Sequence, residues 1–338
     1  MVSYIIRRLI AAVLMLVVVS IVTFSIFFVI PRLAGVTTID FASRYVGSKG
    51  ASAETVAAIA DKLGFNDPLV VQYGRWVKGI VLGAEYDTGA SVEHCPAPCL
   101  GYSFITKTPV WPELLDRLPV TVSLAIGASI IWLIAGVATG VVSALRRGSF
   151  FDRAAMGVAL AGVSLPIFFT GIICLVFFSY RFGITAPGGS YTAITENPGE
   201  WAYDLILPWI TLAFLYAASY ARLTRAGMLE TMGEDYIRTA RAKGLPESKV
   251  IVKHGLRGAL TPILTIFGLD LGLLLGGAVL TESTFSLPGL GKYAVQAIQS
   301  NDLPKIMGVV LLVTLFVVLA NLIVDLLYAV VDPRVRLG

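Results

Sequence analysis

Charged residues along this chain leave long gaps, and the gaps set the architecture. No residue between Arg8 and Arg32, between Arg117 and Arg146, or between Arg153 and Arg181 carries a formal charge. A shorter run lies between Asp204 and Arg222, and the apolar stretch 259–281 is interrupted once, by Asp270. The last run, 306–331, carries Asp325 near its far end. A hydrocarbon core about 30 Å thick takes about 20 helical residues to cross. The pattern therefore predicts an all-α integral membrane protein with six transmembrane helices. Arg7 and Arg8 ahead of the first run imitate a signal peptide, but the run 9–30 is longer than the ~7–15 residues of a signal core. No clear small-x-small cleavage site follows it, so the expectation is an uncleaved anchor.

Composition agrees. Of 338 residues, 56% are hydrophobic and 14% charged, and the mean hydropathy is +0.80. A soluble domain averages about 25% charged residues. Disorder, collagen and a disulfide-dense secreted module are excluded, and 3 cysteines with 2 histidines leave little for a metal cluster. The basic residues also orient the chain. Arg7, Arg8, Arg146, Arg147, Arg153, the cluster from Arg222 to Arg257, Arg334 and Arg336 fall on one side, whereas the short loops opposite hold only Arg181, Lys292 and Lys305. The positive-inside rule puts the first set, and both termini, in the cytoplasm of a multi-pass cell-membrane protein. The domains follow. Residues 1–31 are the cytoplasmic N-terminus and first helix, and 32–117 a large extracytoplasmic segment. Residues 118–331 form a five-helix core with a cytoplasmic loop at 222–258, and 332–338 a cytoplasmic tail. The net charge of +4 needs no nucleic acid.

The outer segment has helical patterning of its own. Ser52 can cap a helix with Val56, Ile59 and Leu63 on one face and Gly64 as its stop. After Pro68, the residues Tyr73, Trp76, Val77 and Ile80 repeat at helical spacing up to Gly83. Two short amphipathic helices can serve as a lid over the membrane-level surfaces, as a docking platform, or as both. Cys95 and Cys99, separated by Pro-Ala-Pro, can form a disulfide on an extracytoplasmic face, hold a metal together with His94, or remain free thiols. Cys174 reads as a small buried hydrophobe.

Catalytic signatures are missing. The sequence contains no His-Glu-x-x-His, no Gly-x-Ser-x-Gly and no phosphate-binding Gly-x-x-x-x-Gly-Lys-Ser/Thr. Near Lys292 the first glycine position of such a loop is Ser286, and Tyr293 follows the lysine. Asp204 and Asp270 do not complete an intramembrane aspartyl-protease pair, because Gly268-Leu269-Asp270 lacks the Gly-x-Gly-Asp form. What stands out is the stretch 222–257. Its basic residues outnumber Glu230, Glu234, Asp235 and Glu247, and Tyr236, Ile237, Ala240 and Leu245 add an apolar component that topology alone does not require. It has the features of a protein-docking element.

Asp235-Tyr-Ile-Arg-Thr-Ala-Arg-Ala-Lys-Gly-Leu245 resembles the coupling-loop signature of binding-protein-dependent ABC importer permeases, in particular the dipeptide/oligopeptide branch. Aligned on Gly244, Arg238-Thr239-Ala240 stands where the general motif has Glu-Ala-Ala, and His254-Gly255-Leu256-Arg257 where it has Ile-x-Leu-Pro. Further matches are Tyr4-Ile-Ile-Arg-Arg-Leu9, Gln72-Tyr73 to Trp76, Leu145-Arg-Arg-Gly148, Glu282 to Gly291, and Asp325 to Leu337.

The resemblance implies a type I ABC importer permease fold and a non-catalytic membrane subunit forming half of a peptide path. The implied partners are a second homologous permease, two cytoplasmic ATPase subunits or domains that hold the ATP and Mg, and an extracytoplasmic peptide-binding protein; the chain itself carries no cofactor. ATPase coupling would fall to Tyr236, Arg238, Thr239, Ala240, Arg241, Gly244 and Leu245. Ala240 and Gly244 would permit close backbone approach, while Arg238 and Arg241 would pair with acidic groups on the partner. Nickel-chelate and oligosaccharide importers use similar permeases. A stand-alone secondary transporter or channel is the reading from another class, and it lacks the intramembrane charges and internal repeat expected of one. Asp270 is the one acidic residue deep in a span, and it serves either an interhelical hydrogen bond or contact with cargo in the path.

Overall fold

The computed structural model describes residues 2–46, 53–87 and 92–331. Ser52 and the tail 332–338, with Arg334 and Arg336, lie outside the described residues. Among those described, four helices are long and apolar enough to cross a membrane: Ile6–Leu33, Val110–Leu145, Pro198–Thr231 and Leu303–Ile323. Two bent pairs, Phe150–Ser164 with Ile167–Arg181 and Glu247–Leu260 with Pro262–Leu275, bring the number to six if each is one span. The described residues form two compact units, one within 2–119 together with 289–319, the other 120–288 together with 320–331.

In the first unit, helix α1 (Val2–Phe24) widens into a looser turn at Ser25–Val29. Pro31 follows after Ile30, and its missing N–H removes the bond that would close an ordinary turn there. Three shorter helices come next: α2 (Thr38–Val46), α3 (Ala53–Lys62) and α4 (Leu69–Leu82). The pattern after Pro68 predicted the last of these with its bounds, and α2 is an addition. Phe24 and Phe28 stack at 4.5 Å, and Phe41, Val56, Ala60, Phe65 and Met307 close over them. This packing fixes the three short helices against the end of α1.

Two short antiparallel pairs depart from the all-helical expectation. Strand β1 (Ala84–Asp87) pairs with β2 (Val92–Cys95), and β3 (Tyr102–Ser103) with β4 (Thr108–Pro109). Strands of two to four residues are too short to imprint an alternation on the sequence. Cys95 and Cys99 are joined by a disulfide and are buried.

The second unit is built on α5 (Val110–Leu145) from Val120 onward, with α6 (Phe150–Ser164), α7 (Ile167–Cys174) and α8 (Pro198–Thr231). The charge-free run 153–181 predicted one span, but the helix breaks by 103° between Ser164 and Ile167. Pro166 is the cause: Leu165 before it is extended, with ψ 130°, as the proline ring requires. The fourth run is longer than its charge-free part, because the Asn197 side chain caps α8 and Pro198 occupies its first turn. The fifth ends early, at Leu275.

Small residues set the contact between α5 and α8. A Cβ on Gly136 would lie 2.7 Å from Cβ of Tyr220, and one on Gly140 would lie 2.6 Å from the Ala221 carbonyl. The Gly-x-x-x-Gly spacing thus lets the two backbones approach closely, a common source of helix association in lipid.

Candidate functional site

The segment after α8 folds as a short helix, α9 (Asp235–Ala242), followed by Glu247–Lys249 and a wide turn, Val250–Leu256, leading into α11 (Arg257–Leu275), with Glu247–Lys249 counted as α10. Ile237, Ala240 and Val250 are buried together, with Met232 and Leu245 against them. Residues 237 and 240 share one face of α9 at i, i+3 spacing, so that face is bound to the chain's own body. The opposite face is open. Tyr236, Arg238, Thr239 and Arg241 are all exposed.

The expected roles redistribute on this geometry. Ala240 is only 6% exposed, so its small size serves packing within the chain and gives no access to a partner. Gly244 has φ +73°, and a Cβ there would meet nothing within 4 Å. Its glycine is required by the left-handed backbone that ends α9, with the Gly244 N–H donating to the Arg241 carbonyl at 2.9 Å. Arg241 forks onto Glu247, Nε to Oε2 at 3.1 Å and Nη2 to Oε1 at 2.6 Å. That hydrogen bond raises the Arg241 pKa and braces the turn between α9 and α10. Among the described residues Arg238 makes only an exposed contact with Asp235 at 3.3 Å, and is the more available cation. Thr239 Oγ1 donates to the Asp235 carbonyl at 3.0 Å.

Asp270 lies on α11, and the Tyr220 hydroxyl on α8 donates to its Oδ2 at 2.8 Å. Trp132 of α5 stacks on Tyr216 at 4.6 Å beside this pair. Asp270 thus closes an interhelical hydrogen bond among aromatic rings, the arrangement that avoids exposing a carboxyl group to lipid. Asp270→Asn keeps an acceptor for Tyr220, and the variant is expected to match the wild type in thermal stability and uptake. Asp270→Leu leaves the hydroxyl without its partner, at about 1–3 kcal/mol, and should lower the melting temperature of the purified complex. Slowed uptake in Asp270→Asn with unchanged melting would assign Asp270 to the cargo path instead.

Several polar contacts join residues far apart in sequence and carry no local signal. Arg225 on α8 forks onto Asp152 at the start of α6, Nε to Oδ1 at 2.6 Å and Nη2 to Oδ2 at 2.8 Å. The Gly148 N–H also donates to Asp152 Oδ2 at 2.9 Å. Glu282, with no exposed surface, accepts from Thr121 Oγ1 at 2.9 Å. In the other unit the buried Lys305 ammonium donates to Glu113 at 2.6 Å, the Tyr293 hydroxyl donates to the same carboxylate at 2.8 Å, and Ser103 donates to Asp302. Burial raises the pKa of Asp302, and burial with the nearby Glu113 carboxylate keeps the Tyr293 phenol protonated.

Comparison with known proteins covers nearly the whole chain. Residues 136–337 match the family described as binding-protein-dependent transport system inner membrane component, and residues 1–125 match its N-terminal membrane component. The dipeptide transport system permease protein DppB of Escherichia coli (strain K12) is 38% identical over 340 residues, covering 91% of this chain and 96% of that protein. The di/tripeptide transport system permease protein DppB of Pseudomonas aeruginosa is 38% identical over 336 residues, with the same shares. Among solved structures, a chain of the inward-facing MetNI methionine ABC transporter superposes with a TM-score of 0.51 at 20% identity. That match covers 66% of this chain and 97% of the other.

Proposed function

The chain belongs to the binding-protein-dependent transport system inner membrane component family, and from that premise we propose that it is a permease subunit of an ATP-driven importer of dipeptides and short oligopeptides. In this reading the bent pair 150–181 crosses the bilayer and so does α11, giving six spans with cytoplasmic termini and an extracytoplasmic segment at 32–117. A second homologous permease completes the path, two ATPase subunits or domains dock from the cytoplasm, and a binding protein delivers peptide from outside.

The observation that carries the reading is α9. One face is anchored by Ile237 and Ala240, while the other presents Tyr236, Arg238 and Thr239. Such a helix can receive a push from a docked ATPase and pass it to α8 and α11, on either side of it in the chain. ATP binding would close the ATPases, and the helix would bias the path from inward- to outward-open. The chain supplies no phosphate loop of its own, which fits hydrolysis in partner subunits.

Reconstitution tests this directly. In liposomes containing this chain, its partner permease, the ATPases and the binding protein, uptake of a labelled dipeptide should require ATP. The chain alone should neither hydrolyse ATP nor move peptide. Peptide uptake by the single chain down an ion gradient would overturn the importer reading.

A further inference from the structure

The outer segment contains a cavity of about 510 Å³ that the coupling mechanism does not use. Its size falls within the range of about 300–1,000 Å³ usual for small-molecule sites. Phe24, Phe28, Phe65 and Trp76 supply its apolar wall, and Tyr86 adds a phenol. Burial pushes the Tyr86 pKa up to about 12, so that phenol stays a hydrogen-bond donor at any physiological pH.

Gln72 lines the same cavity and is only 6% exposed. Its Nε2 donates to the Phe65 carbonyl at 3.0 Å and to the Asp67 carbonyl at 2.8 Å. Those two acceptors fix which end of the amide is nitrogen. The carbonyl oxygen, Oε1, is buried and accepts no hydrogen bond. That oxygen has almost no accessible surface, so it stays out of reach of anything seated in the cavity.

The rim carries both signs of charge. Lys62 pairs with Asp87 at 2.8 Å and Arg75 with Asp67 at 2.6 Å. Lys78 and Glu85, also at the cavity and both exposed, make no ion pair among the described residues. A phosphate or other plain anion does not suit a rim of alternating sign. A metal ion does not suit it either, since no group of three metal-ligating side chains occurs among the described residues.

We propose that this cavity is an outer binding site for a short zwitterionic peptide, a dipeptide or tripeptide. The peptide carboxylate would meet Lys78 and its ammonium Glu85, while one side chain would lie against the aromatic wall. The proposal rests on the peptide-importer reading and deepens it. It adds a stop for cargo on the outer segment, separate from the path between the two permeases.

Calorimetry on the complex of this chain with its partner permease and ATPases, in nanodiscs without binding protein, tests it with the dipeptide Ala-Phe. Saturable binding is expected, with the Kd raised about tenfold or more by Lys78→Ala with Glu85→Ala. Both side chains are exposed and make no pair, so this variant folds. Binding of N-acetyl-Ala-Phe-amide, which has no terminal charges, should be weaker by a similar factor. Tryptophan emission should shift on binding, and Trp76→Phe should remove the shift. Equal affinity for the capped peptide, an unchanged Kd in the double variant, or a shift that survives Trp76→Phe would each overturn the proposal. A zwitterionic lipid headgroup offers the same charges, so the titration is repeated with and without phosphatidylethanolamine. Loss of peptide binding when that lipid is present would assign the cavity to the headgroup. ATP-driven uptake is measured on the same preparation. Normal uptake without Ala-Phe binding sinks the outer site alone, whereas absent uptake under all conditions sinks the importer reading itself.

Discussion

Replacing Ile237 with Ala is expected to reduce ATP-driven peptide uptake at least tenfold while ATP hydrolysis continues. Ile237 has no exposed surface and, with Ala240 and Val250, forms the small core that ties α9 to the chain. Truncating a buried Ile to Ala typically costs about 2–5 kcal/mol. Here that loss falls on a helix of 8 residues with few other attachments. The Arg241–Glu247 fork remains, but it is exposed on both sides, and exposed pairs contribute little. A lever loose at its anchor absorbs the movement of the docked ATPase without passing it on. Hydrolysis and uptake should therefore separate. The controls are graded: Ile237→Val removes one methylene and should retain most uptake, whereas Arg238→Ala should weaken ATPase attachment, seen as lost co-purification. Uptake and hydrolysis measured on one preparation decide the point. If both fall together in Ile237→Ala, or neither falls, α9 is not the transmitting element.

How much of this was legible in the sequence depended on how local the cause was. The long spans were, because lipid demands about 20 uncharged residues in a row and Arg117 and Arg146 bracket such a run. The break at Leu165–Pro166 was encoded locally as well, yet a charge-free run hides it, since a count of charges passes over a proline as readily as a leucine. The face of α9 was half legible. Ile237 and Ala240 are three apart, but Tyr236 and Ala240 are four apart, and both spacings put residues on one side of a helix. Only the position of Val250, beyond the turn at Gly244, selects between them. The paired polar residues were not legible. Thr121 meets Glu282, and Glu113 meets Lys305, across separations that no periodicity spans. Arg225 illustrates the cost: its position counts it among the basic residues of 222–257, whereas its guanidinium is engaged by Asp152.

That pair carries the second large effect. Arg225→Ala is expected to lower the yield of folded, assembled complex severalfold. Asp152 is 4% exposed, and the arginine supplies two of the donors to its carboxylate, with the Gly148 N–H a third. Removing one member of a buried pair leaves the other charged and poorly solvated, which is far worse than never having had the pair. Position adds to the effect. The Asp152 N–H also donates to Ser149, which caps α6, so one carboxylate residue secures both the start of α6 and its attachment to α8. Six residues beyond Arg225, α8 ends and the segment bearing α9 begins. Arg225→Lys keeps the charge but cannot form the planar fork, and should fall between the wild type and Ala. Replacing both residues with neutral ones, Asp152→Asn with Arg225→Gln, removes the isolated charge and should recover part of the yield lost in Arg225→Ala. Size-exclusion profiles and melting temperatures of the purified complexes measure the series. A double variant no better than Arg225→Ala would mean that the fork itself, and not the stranded carboxylate, holds α6 to α8.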